Sequence, residues 1–180
     1  MKALILGAGT KKYDLQVSQV LRVDMNKNVA PDVVHNLDLI PYPFPEDQFD
    51  LIILDHVLEH LDDIPAVMNE LHRIASNNAT ITIVVPYFRS IWAHVDPTHR
   101  HCFTWDTLSY FDCDHDYFKR YAMTTKQFRL MSRLYNDQID QTQFQKLLIK
   151  FAHKYPYVYE RQVSQIFPLE TLTYNLTVIK

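Results

Sequence analysis

Leu4-Ile5-Leu6-Gly7-Ala8-Gly9 is the stretch that decides the fold. With Ala3 it opens on a short, continuous apolar run, the pattern of a strand buried on both faces as in a parallel sheet. The run ends in the only two glycines of the 180-residue chain. Average usage of about 7% would place roughly a dozen. A chain that makes every later turn with Asn, Asp or Pro, yet keeps two glycines around one alanine, needs backbone freedom at that point.

Outward from this stretch, Lys11 to Gln19 reads as a short helix or a loop, and Val20 to Asp24 as a second strand ending in an acid. Val33 to Leu37 is a third strand candidate. Ile40 to Pro45 carries prolines at alternate positions, which forbids both a helix and a central strand. It is expected to be an extended surface segment with Tyr42 and Phe44 packed inward. Phe49 to Asp55 is the clearest buried strand. A helix is expected from about Asp62 to Ser76, capped by Asp62 or Asp63 and with Pro65 in its first turn. Ile64, Val67, Met68, Leu71 and Ile74 form its apolar stripe, and Asn77-Asn78 is expected to end it in left-handed geometry. Ala79 to Val85 is the next strand. This order predicts an α/β fold with a mostly parallel sheet. Farther on, Phe128 to Tyr135 fits either helix or strand, Gln141 to His153 reads as a helix, and Leu172 to Val178 alternates as a terminal strand.

Composition narrows the function. A net charge of −3 argues against a protein that tracks a nucleic-acid backbone. No apolar stretch reaches the length of a spanning helix, and the N-terminus runs into a strand without a signal-peptide layout. Two cysteines, Cys102 and Cys113, make no disulfide framework, so a reducing cytoplasm is expected. Aromatic residues at 13% exclude a disordered chain. No repeat or linker is visible, and residues 1–180 read as one domain.

A strand, then Gly7-Ala8-Gly9, then a second strand ending in Asp24 is a nucleotide-site layout. The glycines let backbone N–H groups approach a ligand, and the acid accepts hydrogen bonds from ribose hydroxyls. Thr10-Lys11-Lys12 stands where a dinucleotide fingerprint has its third glycine, so a ligand without a pyrophosphate fits better.

With Val23-Asp24, Asp38, Phe49-Asp50-Leu51-Ile52, His56-Val57-Leu58-Glu59-His60-Leu61 and Glu70-Leu71-His72-Arg73-Ile74, the chain resembles the class I S-adenosylmethionine-dependent methyltransferases. The segment Pro41 to Pro45, Asp96-Pro97-Thr98-His99 and Ile166-Phe167-Pro168 are similar to a small, type 11-like subgroup. The resemblance is strongest from Leu4 to Thr104. It implies a Rossmann-like, doubly wound, mostly parallel sheet with one antiparallel strand near the C-terminus. It further implies a cofactor-binding core over residues 1–104 and acceptor-side elements over 105–180. S-adenosylmethionine would be the cofactor and a small-molecule nucleophile the acceptor, with no nucleic-acid or membrane partner. Carried over, Gly7, Ala8 and Gly9 would pack along the cofactor's amino-acid part. Asp24 would bind the ribose, Met25 would flank the adenine and Asp38 would lie near its amino group, while Asp55 and His56 would line the pocket after the fourth strand.

His94 to Cys102 gathers three histidines, Asp96 and a thiol. On the ligand edge of the sheet, His99 or Asp96 is expected to act as proton acceptor for the nucleophile. No metal is assigned, because the run contains Pro97 and matches no metal-ligand spacing. Two other readings stay open. One is a cofactor-binding module without turnover. The other is a metal-dependent hydrolase built on the His94–His101 loop. A loop pinned by Asp96 hydrogen bonds, with its histidines merely packed, is the structural alternative to all of these. Asp112 to Asp116 reads as a solvated turn, and the acceptor's identity is not written in the residues.

Overall fold

The computed structural model describes residues 1–136 and 142–180. Seven strands form one sheet: β1 (Lys2–Leu6), β2 (Gln19–Asp24), β3 (Val33–Val34), β4 (Phe49–Asp55), β5 (Ala75–Pro86), β6 (Gln127–Asn136) and β7 (Thr171–Ile179). Their spatial order is β3-β2-β1-β4-β5-β7-β6. β1 to β5 pair in parallel, while β7 lies antiparallel between β5 and β6. The expected mostly parallel sheet with one reversed strand near the C-terminus is what forms. The central strands are buried on both faces, as their unbroken apolar runs require: Leu4, Leu6, Ile52 and Leu54 are fully covered.

Helix α1 (Ile64–Ile74) starts as its sequence directs, with the Asp63 carboxylate accepting from the Ala66 N–H at 2.9 Å and Pro65 in the first turn. Its end differs from the expectation. The helix stops at Ile74, and β5 begins at Ala75 without a connecting turn. Asn77 and Asn78 therefore lie inside the strand. Asn78 does take left-handed geometry, with φ 63°, but uses it for a bulge where β5 slips against β4 between Phe49 and Leu51. The third strand is also shorter than expected, covering Val33–Val34 alone.

Residues 10–18 form no helix, so the β1–β2 connection is a loop. Phe128 to Tyr135 resolves as strand β6. Helix α2 spans Gln143–Lys154, and the Gln141 start expected for it lies outside the described residues. In the proline segment Tyr42 and Phe44 are buried as expected. The buried Glu70 holds this segment: it accepts the Tyr42 N–H at 2.6 Å and pairs with Arg73, whose guanidinium also reaches the Tyr42 carbonyl. Among the described residues no helix is long and apolar enough to cross a membrane.

Two histidines couple this packing to pH. His72 donates Nε2–H to the Ile179 carbonyl at 3.0 Å beneath β7, and His153 of α2 accepts the Tyr135 N–H on Nε2 at 2.8 Å. Burial holds both imidazoles below the ordinary histidine range. The unfolded chain then takes up protons first as pH falls. Stability present above about pH 6.5 is lost as pH drops below that value. Melting temperature should therefore fall between about pH 7.5 and 5.5. His153→Gln, whose carbonyl accepts the same N–H without titrating, should flatten part of that drop. A wild-type melting temperature constant over the range would contradict the assignment.

Candidate functional site

The turn after β1 is built by both glycines. Gly7 has φ 62° and Gly9 φ 50°, a region that L side chains rarely adopt. They differ in what surrounds them. A Cβ on Gly7 would stand 2.3 Å from Val57 Cγ2, whereas one on Gly9 would meet no protein atom within 4 Å. Asp24, at the end of β2, organises the turn: its Oδ2 accepts the Gly9 N–H at 2.8 Å and its Oδ1 accepts the Asn26 N–H at 2.8 Å. Arg22 on the same strand donates to the Gly9 carbonyl at 2.6 Å. The Ala8 N–H is used by Val23 O.

A cleft of about 640 Å³ opens beside this turn. Gly7, Asp24, Met25, Asp38 and His56 of the sequence candidates line it. Asp38 also ties its own loop to the approach to α1, accepting the Asp62 N–H at 2.8 Å. Ala8, Gly9 and Asp55 do not line the cleft. The Asp55 carboxylate instead pairs with Lys11 and accepts from the Tyr13 hydroxyl at 3.0 Å. Burial, with Asp55 beside it, pushes the Tyr13 phenol up. Leu37 and Arg100 belong to the lining without having been singled out in the sequence, and so does His60, which the sequence offered only as part of the His56-to-Leu61 motif.

The other wall comes from two segments about forty residues apart in sequence. His56 follows β4 with φ 56°, an uncommon conformation for a residue with a Cβ. A single 3₁₀ turn, Leu58–His60, comes next. The Glu59 carbonyl accepts the N–H groups of Arg100 and His101, at 2.8 and 3.3 Å, and so joins this turn to the loop after β5. A second cavity, of about 450 Å³, lies at the junction and is lined by His56, His60, Trp92, Val95, Asp96 and His99. It shares His56 and His60 with the cleft.

Within the loop, Asp96 is exposed and accepts both the Thr98 N–H at 2.8 Å and the Thr98 hydroxyl at 2.7 Å. The Thr98 side chain and amide hold its carboxyl below the usual range. Having donated its proton to Asp96, Thr98 Oγ1 accepts from His60 Nδ1 at 2.9 Å. His99 Nδ1 donates to the Ala93 carbonyl at 3.2 Å. His94 and His101 are tied elsewhere, their Nε2 atoms at 3.0 Å from Phe88 O and 2.8 Å from Leu61 O. The three histidines thus each bond through one ring nitrogen to a separate carbonyl. Glu59, between His56 and His60, is 1% exposed. Its Oε1 pairs with His56 Nδ1 at 3.3 Å and lies 4.0 Å from His99 Nε2. Glu59 raises the His56 pKa against the opposing effect of burial.

Comparison with known proteins now bears on this geometry. Residues 4–83 match the family described as a methyltransferase domain. Over 98% of the chain the fold is similar to a solved S-adenosylmethionine-dependent methyltransferase from Archaeoglobus fulgidus, at 16% identity, TM-score 0.59 and 85% coverage of that chain. The family match thus covers the β1-to-β5 part of the chain, and the solved structure shares the fold of the whole. The putative methyltransferase solved in complex with the Haloferax volcanii Trm112 activator is also similar to the domain, with TM-score 0.66 and 14% identity over 99% of this chain and 83% of that one. At such identities the solved structures speak for the fold. Among curated proteins, ajmaline N-methyltransferase of Rauvolfia serpentina is 32% identical over 95 residues, which is 45% of this chain. The match spans about a third of that relative's length. The solved Archaeoglobus fulgidus protein is described as S-adenosylmethionine-dependent, and the residues lining the cleft here are of a kind that fits such a ligand. The cleft has the size of a small-molecule site, an acid stands at its β2 end, and the space beside Gly9 is free of protein atoms.

Proposed function

We propose that the methyltransferase domain binds S-adenosylmethionine in the 640 Å³ cleft and transfers its methyl group to a small-molecule nucleophile held in the adjoining 450 Å³ cavity. The observation that carries this reading is that the two cavities share His56 and His60. When bound, the cofactor supplies an electrophilic methyl on a positively charged sulfur. Asp24 orients the ribose: each of its oxygens accepts one backbone N–H and keeps a second lone pair for a hydroxyl. Met25, 69% exposed at the cleft mouth, covers an adenine face, and Asp38 faces the base edge. Gly7 shapes the turn, and Gly9 leaves room for the cofactor's amino-acid part. Trp92 and Val95 bring apolar surface to the acceptor side, and His99 brings a polar group. Asp96, in the same lining, acts through Thr98 on His60. In a direct displacement most of the acceleration comes from holding two reactants in line.

The plant relative's name gives a nitrogen as its methyl acceptor; here the acceptor class is a small amine or hydroxyl compound. We place the domain in the cytoplasm, on its unbridged Cys102 and Cys113. A second reading, a cofactor-binding module without turnover, is favoured by the Lys11–Asp55 pair and by the lack of a helix after the glycine turn. Calorimetric titration with S-adenosylhomocysteine tests the cofactor site common to both. Wild type should bind, and Gly9→Val should lose binding, because a branched side chain at φ 50° fills the one open flank of the turn. Unchanged binding by a folded Gly9→Val variant would mean that the glycine serves the turn alone.

A further inference from the structure

Between the two cavities sits a cluster that methyl transfer by itself does not use. One ligand atom from each of Glu59, His60 and His99 lies within 4.8 Å of the others. We propose that these three residues bind a divalent transition metal of the zinc class, with its open coordination position toward the 450 Å³ cavity.

Hydrogen bonding fixes both imidazoles in the form that a metal requires. The Ala93 carbonyl can only accept, so His99 carries its proton on Nδ1 and presents the Nε2 lone pair. Thr98 spends its hydroxyl proton on Asp96, so Oγ1 accepts from His60 Nδ1–H, and His60 likewise presents Nε2. Metal-bound histidines characteristically donate their second ring N–H to a carbonyl or a carboxylate-linked partner. The third ligand is the buried Glu59 carboxylate, whose one close partner among the described residues is His56 Nδ1, 3.3 Å from Oε1. Buried ionised carboxylates are found paired or on metals. The spacing is suitable. Bond lengths of about 2.0–2.1 Å in a tetrahedron put ligand atoms roughly 3.3 Å apart. The 4.0 Å between His99 Nε2 and Glu59 Oε1 therefore closes with a sub-ångström shift. Two nitrogens and one carboxylate oxygen are a zinc-type set with room for one exogenous ligand. Because Glu59 and His60 lie on the turn after β4 and His99 on the loop after β5, no single-segment spacing announces the site.

The metal's place beside the shared wall suits an acceptor whose oxygen or nitrogen is bound and made more acidic before attack. That role rests on the methyl-transfer reading, whereas the metal site does not. The site is tested on protein purified without an affinity tag and stripped with a chelator. Isothermal titration with zinc chloride should give about one equivalent bound, and cobalt(II) should give the visible absorption of a four-coordinate site. His99→Ala and Glu59→Gln should abolish both signals, with folding checked by circular dichroism. His94→Ala and His101→Ala should leave them intact. Thr98→Val, which removes the hydroxyl that links His60 to Asp96, should weaken zinc binding roughly 10–100-fold. No zinc heat with wild type, or equal binding by His99→Ala, would overturn the site and leave Glu59 sharing a proton with His56. S-adenosylhomocysteine titration of the stripped protein reports on the cofactor cleft separately, so failure of one assignment is distinguishable from failure of the other.

Discussion

Asp24→Ala should weaken S-adenosylhomocysteine binding by at least tenfold, since each hydrogen bond to a charged group is worth about 1.5–3 kcal/mol. The effect has two sources. One is the loss of the acceptor for the ribose hydroxyls. The other is the release of the glycine turn, whose Gly9 N–H rests on the same carboxylate, as does the N–H of Asn26. The variant should also lose thermal stability, which a purely ligand-facing acid would not. Asp24→Asn separates the contributions: its amide oxygen can still hold one backbone N–H, while the charge for the ribose is gone. It should melt nearer to wild type than Asp24→Ala and still bind weakly. Calorimetry on both folded variants checks this, and wild-type affinity in Asp24→Ala would remove the residue from the site.

Gly7→Ala should be the most damaging single methyl in the protein. The added Cβ would stand 2.3 Å from Val57 Cγ2 and 3.3 Å from Cγ1, so the valine must leave its present rotamer and the contact stays tight. Overpacking costs about 1–3 kcal/mol, and left-handed geometry adds roughly 1–2 kcal/mol for a residue with a Cβ. Together these predict a melting temperature lower by on the order of 10 °C for a chain of this size. Cofactor affinity should fall as well, because Gly7 lines the cleft. Val57→Ala in the same chain should recover the steric part but not the backbone part. If the double variant is no more stable than Gly7→Ala, the clash is not the cause.

Legibility of the sequence followed the locality of the physics. Strand β4, a continuous apolar run, lies over Phe49–Asp55 as the sequence indicates. The Asp63 cap and the inward turn of Tyr42 and Phe44 were equally readable, because each is decided by neighbours in the chain. Asn77-Asn78 misled, since left-handed formers serve a bulge as well as a helix end, and only the pairing of β4 with β5 selects between them. Strand β6 is an edge strand with one face partly open, so its Arg129 and Arg133 blur the alternation that identifies inner strands. At the site, Gly7 and Asp24 stood out because one supersecondary unit brings them together. The approach of His99 to Glu59 is a tertiary event and left no spacing to read. The available signal was Glu59 itself, a charged residue inside the apolar stretch from Val57 to Leu61, which would be buried without a visible reason.

The bare connection between β1 and β2 has a thermodynamic consequence. A helix there would lay an apolar stripe across the sheet next to the cofactor cleft, and residues 10–18 supply none. β2 accordingly covers only Val23 fully, and β3 is two residues long. This margin of the sheet is the part whose local opening takes the least free energy, while the β5–β7–β6 side is closed by long antiparallel ladders. The end of the cleft where the proposed nucleoside would lie is built on that margin, through Asp24, Met25 and Asp38. Part of the binding energy would then be spent on holding the margin shut, and an affinity measured by titration would understate the contacts made. A ligand in the cleft would tighten this edge of the molecule more than any other.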